Sequence, residues 1–419
     1  MSIVSVPVEI LEDIVSYLSG NDILKFASTC RAAYACALPT ILRDVSLGHR
    51  TKKEVGEQLR SFCYCVLADL PQRASYIRTL TFGALTIQDG KDTCTKQDYV
   101  LADHVARIIS LATGLRVLVV DGAERLFSSA PSQVTEAITS LKNLSEIHLE
   151  GYAGPHALRV LAEMHSRPTV VRLTSFDAPT CYLVPGRDRL LHNFTQSLVR
   201  LTLVNNHDLV QALEPTRLPA LARAFPEVRQ LEVCARCTEE KVGRDLWTRL
   251  ESVSLDRPVP LCRPVPHVEL VGAEWVEEQF GLALETMAGM APTTLTCRDV
   301  DLSLDHWAVA QLVKSVARSV RAPLNAVVVP VDDTCTDTPG DENWAYSSAK
   351  NILAMLDLAY GIAERISTLL YVGLDTGERS SHRTRWYKVV SRDPDHLDIK
   401  RLRECESREV EGMFAGSSD

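Results

Sequence analysis

No stretch of about 18 consecutive apolar residues occurs anywhere in the chain, so a membrane-spanning helix is not expected. The amino end, Met1 to Val6, lacks the basic and apolar segments of a secretory signal, and Pro7 and Glu9 interrupt it at once. Positive charge is in deficit: 45 Lys plus Arg face 54 Asp plus Glu, a formal net charge of -9. That sign argues against a broad phosphate-binding surface, and with it against nucleic acid as a partner. The 12 cysteines have no framework spacing, and a chain of 419 residues needs no disulfide staples. Reduced thiols in cytoplasm, nucleus or both are the expectation. The sequons Asn143-Leu144-Ser145 and Asn193-Phe194-Thr195 then carry no weight.

Chemistry-bearing motifs are equally sparse. A Gly-rich phosphate loop, an HExxH pair and a Gly-x-Ser-x-Gly elbow are all missing, and histidines and carboxylates are spread out rather than paired. No catalytic set and no cofactor are expected. Cys234 and Cys237 form one CxxC, but Cys262 and His267, the nearest later ligands, lack the two-pair spacing of structural zinc, and Cys63 and Cys65 are weaker still. These read as ordinary thiols. Asp332 to Glu342 lacks the order of a calcium loop and reads as a solvated acidic surface loop. His382-Arg383-Thr384-Arg385, with Arg379 and Trp386, has too few charges to hold nucleic acid at physiological salt.

What the chain does have is patterned apolar residues. Hydrophobic content is 46% with 24% charged, ordinary for globular protein, and the length suits one large domain with a small one. Near the amino end Ile10, Leu11, Ile14 and Leu18 fall at helical spacing after Pro7, and Gly20-Asn21 ends that helix. Asn21 or Asp22 is placed to cap a second helix through Ile23, Leu24, Ala27 and Cys30. A third runs through Tyr34 with a turn at Pro39, and the module ends near Leu47.

Beyond it a six-residue pattern recurs, apolar at its first, fourth and sixth positions. Copies are Ile77/Leu80/Phe82, Leu115/Leu118/Val120, Leu144/Ile147/Leu149, Leu198/Leu201/Leu203, Val228/Leu231/Val233, Leu250/Val253/Leu255, Val265/Val268/Leu270 and Leu324/Val327/Val329, with weaker ones from Val170 and Pro292. Most steps are 22 to 38 residues, long enough for strand, turn, helix and return; one of 15 is not. Polar residues between the apolar positions give strand alternation with one wet face, and helical segments such as Tyr99 to Ile109 and Leu218 to Phe225 lie between copies. The expected fold class is α/β: a short three-helix module followed by a curved solenoid of parallel strands and helices. A helix from about Ser347 to Ile366 and two strands, Leu369 to Val372 and Trp386 to Val390, would cap the array. Ile399 to Glu411 is either a solvated helix or a disordered tail.

The array resembles irregular leucine-rich repeats, with the repeat asparagine supplied clearly only by Asn206 after Leu203. The amino-terminal residues resemble an F-box: Val6-Pro7-Val8-Glu9-Ile10-Leu11, then Ile14, Leu18, Asp22-Ile23-Leu24, Ala27, Thr29-Cys30-Arg31 and Tyr34, with Val6 where Leu is commoner and an exit at Leu42-Arg43-Asp44-Val45-Ser46-Leu47. Fungal F-box proteins often continue, as here, into irregular leucine-rich repeats. The resemblance implies three parts: an adaptor-binding module at 1–50, a recognition domain at 51–391 and a charged tail at 392–419. It also implies docking on the Skp adaptor of a cullin-RING ubiquitin ligase through Val6, Pro7, Ile10, Leu11, Ile14, Leu18, Ile23 and Leu24. The wet strand positions Glu146, His148, Glu150, Arg172, Thr174, Arg200, Thr202, Gln230, Glu232, Ser252, Ser254, His267 and Glu269 would then face a protein substrate. Two other readings stand beside it: a non-catalytic scaffold whose amino-terminal helices only cap the repeats, and an α/β enzyme with a pocket at strand ends.

Overall fold

The computed structural model describes residues 6–47, 52–82, 101–129, 132–150, 155–174, 194–204, 218–233, 247–255, 261, 264–271, 289–298, 323–330, 356–364, 366–375, 384–393 and 396–414. It is mixed α/β and divides into two compact units, Met1–Gln211 and Ala212–Asp419. The amino-terminal helices belong to the first. Among the described residues no helix is long and apolar enough to cross a membrane.

The first unit begins with α1 (Val8–Tyr17), α2 (Asn21–Ala27) and α3 (Arg31–Arg43). Pro7 precedes α1, its fixed φ suiting the entry and its carbonyl accepting from Ile10 and Leu11 N–H at 3.1 and 3.2 Å. Gly20, at φ +47, makes the corner between α1 and α2 and occupies the capping position expected for Asn21 or Asp22; Asp22 instead pairs with Lys25 at 3.1 Å. Pro39 lies inside α3 and does not end it, contrary to the turn expected there. Cys30 caps α3, its Sγ accepting from Ala33 N–H at 3.4 Å.

Strand β1 (Asp44–Leu47) follows α3 directly and pairs in parallel with β2 (Thr79–Phe82), after α4 (Lys52–Leu67) and α5 (Leu70–Tyr76). Then come α6 (Ala102–Leu111), β3 (Val117–Asp121), α7 (Ala123–Ser129), α8 (Ser132–Thr139), β4 (Glu146–Glu150), α9 (Pro155–Glu163), β5 (Val170–Thr174) and β6 (Arg200–Val204). Neighbours pair in chain order, all parallel and without slippage: Val45, Leu80, Leu118, Ile147, Val171 and Leu201 form one rung, and Leu47, Phe82, Val120, Leu149, Leu173 and Leu203 the next. Both rungs are buried. The module's exit, Leu42/Val45/Leu47, therefore has the same one-four-six pattern as the later copies. The copy read from Val170 is framed two residues earlier, on Pro168/Val171/Leu173, because Val171 and Leu173 face the core.

Strand entries repeat one hydrogen bond. The carbonyl at the second position accepts from the N–H at the second position of the next copy: Arg78 to Arg43 at 2.8 Å, Arg116 to Arg78 at 2.7 Å, then Ser145 to Arg116, Thr169 to Ser145 and Val199 to Thr169, each at 2.8 Å. Arginine side chains bind the same edge, Arg78 Nη1 donating to Gly114 O at 3.0 Å and Arg116 Nη1 to Asn143 O at 2.9 Å.

The second unit contains α10 (Leu218–Ala224), β7 (Gln230–Val233), β8 (Ser252–Leu255), β9 (His267–Val271), β10 (Thr294–Arg298), β11 (Ala326–Pro330) and β12 (Tyr371–Asp375), with helical residues at 356–364 before β12. These strands are parallel and in register, with Leu231, Val253, Val268, Leu295, Val327 and Val372 in one rung. β13 (Thr384–Asp393) turns back antiparallel on β12, and β14 (His396–Arg401) on β13. The helix α11 (Glu404–Phe414) ends the described chain. The expected tail is thus a strand and a helix from 396 to 414. The acidic loop from Asp332 to Glu342, and residues 347–355 of the expected long helix, lie outside the described residues.

Candidate functional site

Two surfaces hold the residues expected to act. The first is the outer side of the amino-terminal helices. In α1 the residues at Leu11 and Val15 point inwards and are 2% and 3% exposed. Val15, Ile23, Ala27 and Ala37 form one buried cluster, with Leu18, Phe26, Cys36 and Ile41 packed at its margin. The other side of α1 is open: Ile10 is 51% exposed, Ile14 39% and Tyr17 83%, and on α2 Leu24 is 53%. Ile10, Ile14 and Tyr17 follow at i, i+4 and i+7 and so share one stripe. Of the eight expected docking residues, Pro7, Ile10, Ile14 and Leu24 are exposed and Val6 and Leu18 are half-buried. Leu11 and Ile23 are internal, because α1 and α2 need one apolar side each to close on α3. Tyr17 was missed as a member of the open stripe, although the same periodicity run from Ile10 finds it.

The second surface is the polar side of the strands. In the first unit it brings together Glu146, His148 and Glu150 on β4, Arg172 and Thr174 on β5, and Arg200 and Thr202 on β6, with His148, Arg172 and Thr202 in one rung and Glu146, Val170 and Arg200 in another. In the second unit Gln230, Ser252 and His267 share a rung, as do Glu232, Ser254 and Glu269. Ten of the thirteen are half-buried. Thr174, Thr202 and Ser254 are buried at 8%, 3% and 9% and do not belong to an open surface. Short side chains sink between longer neighbours: Thr202 lies beside Arg172, and Ser254 between Glu232 and Glu269.

Charge on this face is mixed. Glu146 Oε2 lies 3.5 Å from His148 Nε2. Burial lowers the His148 pKa, and Arg172 adds to that, while Glu146 and Glu150 oppose it. Burial also lowers His267, against the pull of Glu251. Arg172 Nε, His267 Nδ1 and Thr294 Oγ1 are buried with no hydrogen-bond partner among the described residues. Such groups favour a ligand able to bind them.

The remaining candidates separate. Cys234, Cys237 and Cys262 lie outside the described residues, and among those described no group of three or more His, Cys, Asp or Glu side chains is arranged to hold a metal. Cys63 is buried in α4, where burial pushes its thiol up to about 11; Cys65 is half-buried. Trp386 is 3% exposed and donates its indole N–H to Glu411 Oε1 at 3.2 Å, so this aromatic is turned inwards rather than offered to a base. Arg379, His382 and Arg383 are outside the described residues. The sequence matches no protein-family model and no curated protein.

Proposed function

We propose that this protein is the substrate-recognition subunit of a Skp-cullin-F-box ubiquitin ligase, docking on the Skp adaptor through its amino-terminal helices and holding a target protein on the polar side of a leucine-rich-repeat-like strand array. It carries out no bond chemistry itself and works in cytoplasm, nucleus or both. The observation that carries this reading is the division of α1 and α2: one side closes a core on α3 while Ile10, Ile14, Tyr17 and Leu24 stay uncovered. Burying an aliphatic side chain contributes about 1.5 to 3 kcal/mol, and association costs on the order of 4 to 15 kcal/mol. Several adjoining anchors are needed, and the stripe has them. The in-register parallel strands, and the copies that dictate them, support the repeat reading of the rest.

The test is a pull-down with purified Skp adaptor, comparing wild type with Ile10→Asp plus Ile14→Asp and with Leu24→Asp. These side chains are exposed, so the variants keep the fold; adaptor recovery is expected to fall at least about tenfold, as loss of one or two anchors dictates. Equal recovery from all three proteins would refute the assignment. The scaffold reading draws on a different observation, the pairing of β1 with β2, which builds the module into the first unit. It anticipates no adaptor binding by any of the three.

A further inference from the structure

The polar side of the strands becomes apolar over β11–β13. Strand alternation puts Ala326, Val328, Tyr371, Gly373 and Trp386 on the side opposite the core residues Val327, Val372 and Leu374. A Cβ on Gly373 would come within 2.9 Å of Thr384 Cγ2 and 3.2 Å of Trp386 Cζ3, so the indole rests against bare strand. Helix α11 returns across this patch. Val410 joins Ala326, Val328 and Trp386 in a buried cluster edged by Tyr371 and Leu402, and Glu411 accepts the Trp386 indole N–H.

The hold on α11 is thin. Val410 is the one buried side chain among its described residues, Met413 is 63% exposed, and Arg408 pairs with Glu404 inside the helix at 2.7 Å. A helix of 11 residues is marginal alone, so its order depends on tertiary contacts, among them that anchor, the indole bond and the ion pair of Glu406 with Lys400. Glu404, Glu406, Glu409 and Glu411 against Arg408 make the occupant acidic, and Lys400 on β14 meets it, 3.7 Å from Glu406.

We propose that the β11–β13 face is a seat for an acidic amphipathic helix bearing a β-branched anchor beside a carboxylate. In the free chain α11 is the occupant, and a helical target segment of the same chemistry displaces it. This deepens the receptor reading above and rests on it for its biological consequence.

The experiment uses the full chain, wild type and Val410→Asp, and a fluorescent synthetic peptide of residues 402–414. In wild type, amide exchange in α11 is expected to run at least about 10-fold faster than in β12 and β13, as for a locally opening segment. The peptide is expected to bind the Val410→Asp chain at least about 10-fold more tightly than wild type, because the resident helix competes at high effective concentration. A peptide bearing Val410→Asp should bind neither. Exchange in α11 as slow as in β12 and β13, loss of protection across β12 and β13 in the variant, or no gain in peptide binding would each overturn the proposal. No adaptor or target enters the assay, so failure here is distinct from failure of the docking assignment.

Discussion

A hydrogen is the largest substituent that position 114 admits. A Cβ on Gly114 would stand 2.6 Å from the Ser75 carbonyl oxygen, a backbone atom that cannot swing aside, and would also collide with the Arg78 guanidinium that binds Gly114 O. Gly114→Ala should therefore destabilise the first unit by about 1 to 3 kcal/mol, the usual cost of overpacking, as a lower urea midpoint. An unchanged midpoint would mean that the Arg78 clasp is dispensable. Thiols give a second check at this scale. Burial pushes Cys63 up to about 11 and Cys297 up to about 12, so both should resist iodoacetamide at pH 8 in the native protein while exposed Cys405 is alkylated. Mass spectrometry of the labelled peptides decides it.

The two half-buried histidines set a pH dependence. His148 and His267 lie below their ordinary value of 6.5 because burial disfavours the imidazolium. The unfolded chain then takes up protons first as pH falls through 6.5. Their contribution is complete above that value and is lost on acidification towards the lowered folded pKa. The thermal midpoint should fall between pH 7 and pH 5 less steeply in His148→Gln plus His267→Gln than in wild type.

At the scale of elements, the parallel strands were legible because, wherever the side chains are described, they repeat the same one-four-six burial and so leave a trace in apolar spacing. Leu42/Val45/Leu47 and Leu369/Val372/Leu374 obey the rule as well as any copy, yet β1 read as the exit of the helical module and β12 as half of a hairpin. Neighbouring segments with a second plausible role hid them. The frame of β5 was missed for another reason: Val170 and Val171 are both β-branched, and composition does not say which faces the core. Register decides, and it is testable. Leu173→Ala, in the buried rung, should cost about 2 to 5 kcal/mol, whereas Val170→Ala, half-buried on the other side, should stay within about 1 kcal/mol. Similar losses from both would contradict the register. Helix α4 was missed although its signature is present: Leu59, Phe62, Cys63 and Val66, all buried, fall at i, i+3, i+4 and i+7 on one face.

For the whole chain, the amino-terminal helices serve two demands that the sequence mixes in one run of aliphatic residues. Pro7 to Leu24 read as a single set of docking anchors, because helical spacing reports that a residue is apolar at the right phase without saying which neighbour covers it. Only packing against α3 separates Leu11, Val15 and Ile23, which close the fold, from Ile10, Ile14, Tyr17 and Leu24, which do not. Since β1 continues from α3 into the ladder, loss of the inner set should be felt throughout the first unit. Leu11→Ala should lower the unfolding midpoint by about 4 to 8 °C or more, as a loss of one to several kcal/mol in a cooperative domain requires. Ile10→Asp plus Ile14→Asp should leave that midpoint within about 2 °C of wild type, since both side chains already meet water. Calorimetry of the two variants decides whether stability and docking are separable here. If the double aspartate variant melted as early as Leu11→Ala, the outer stripe would belong to the core, and its availability to a separate subunit would fail with it.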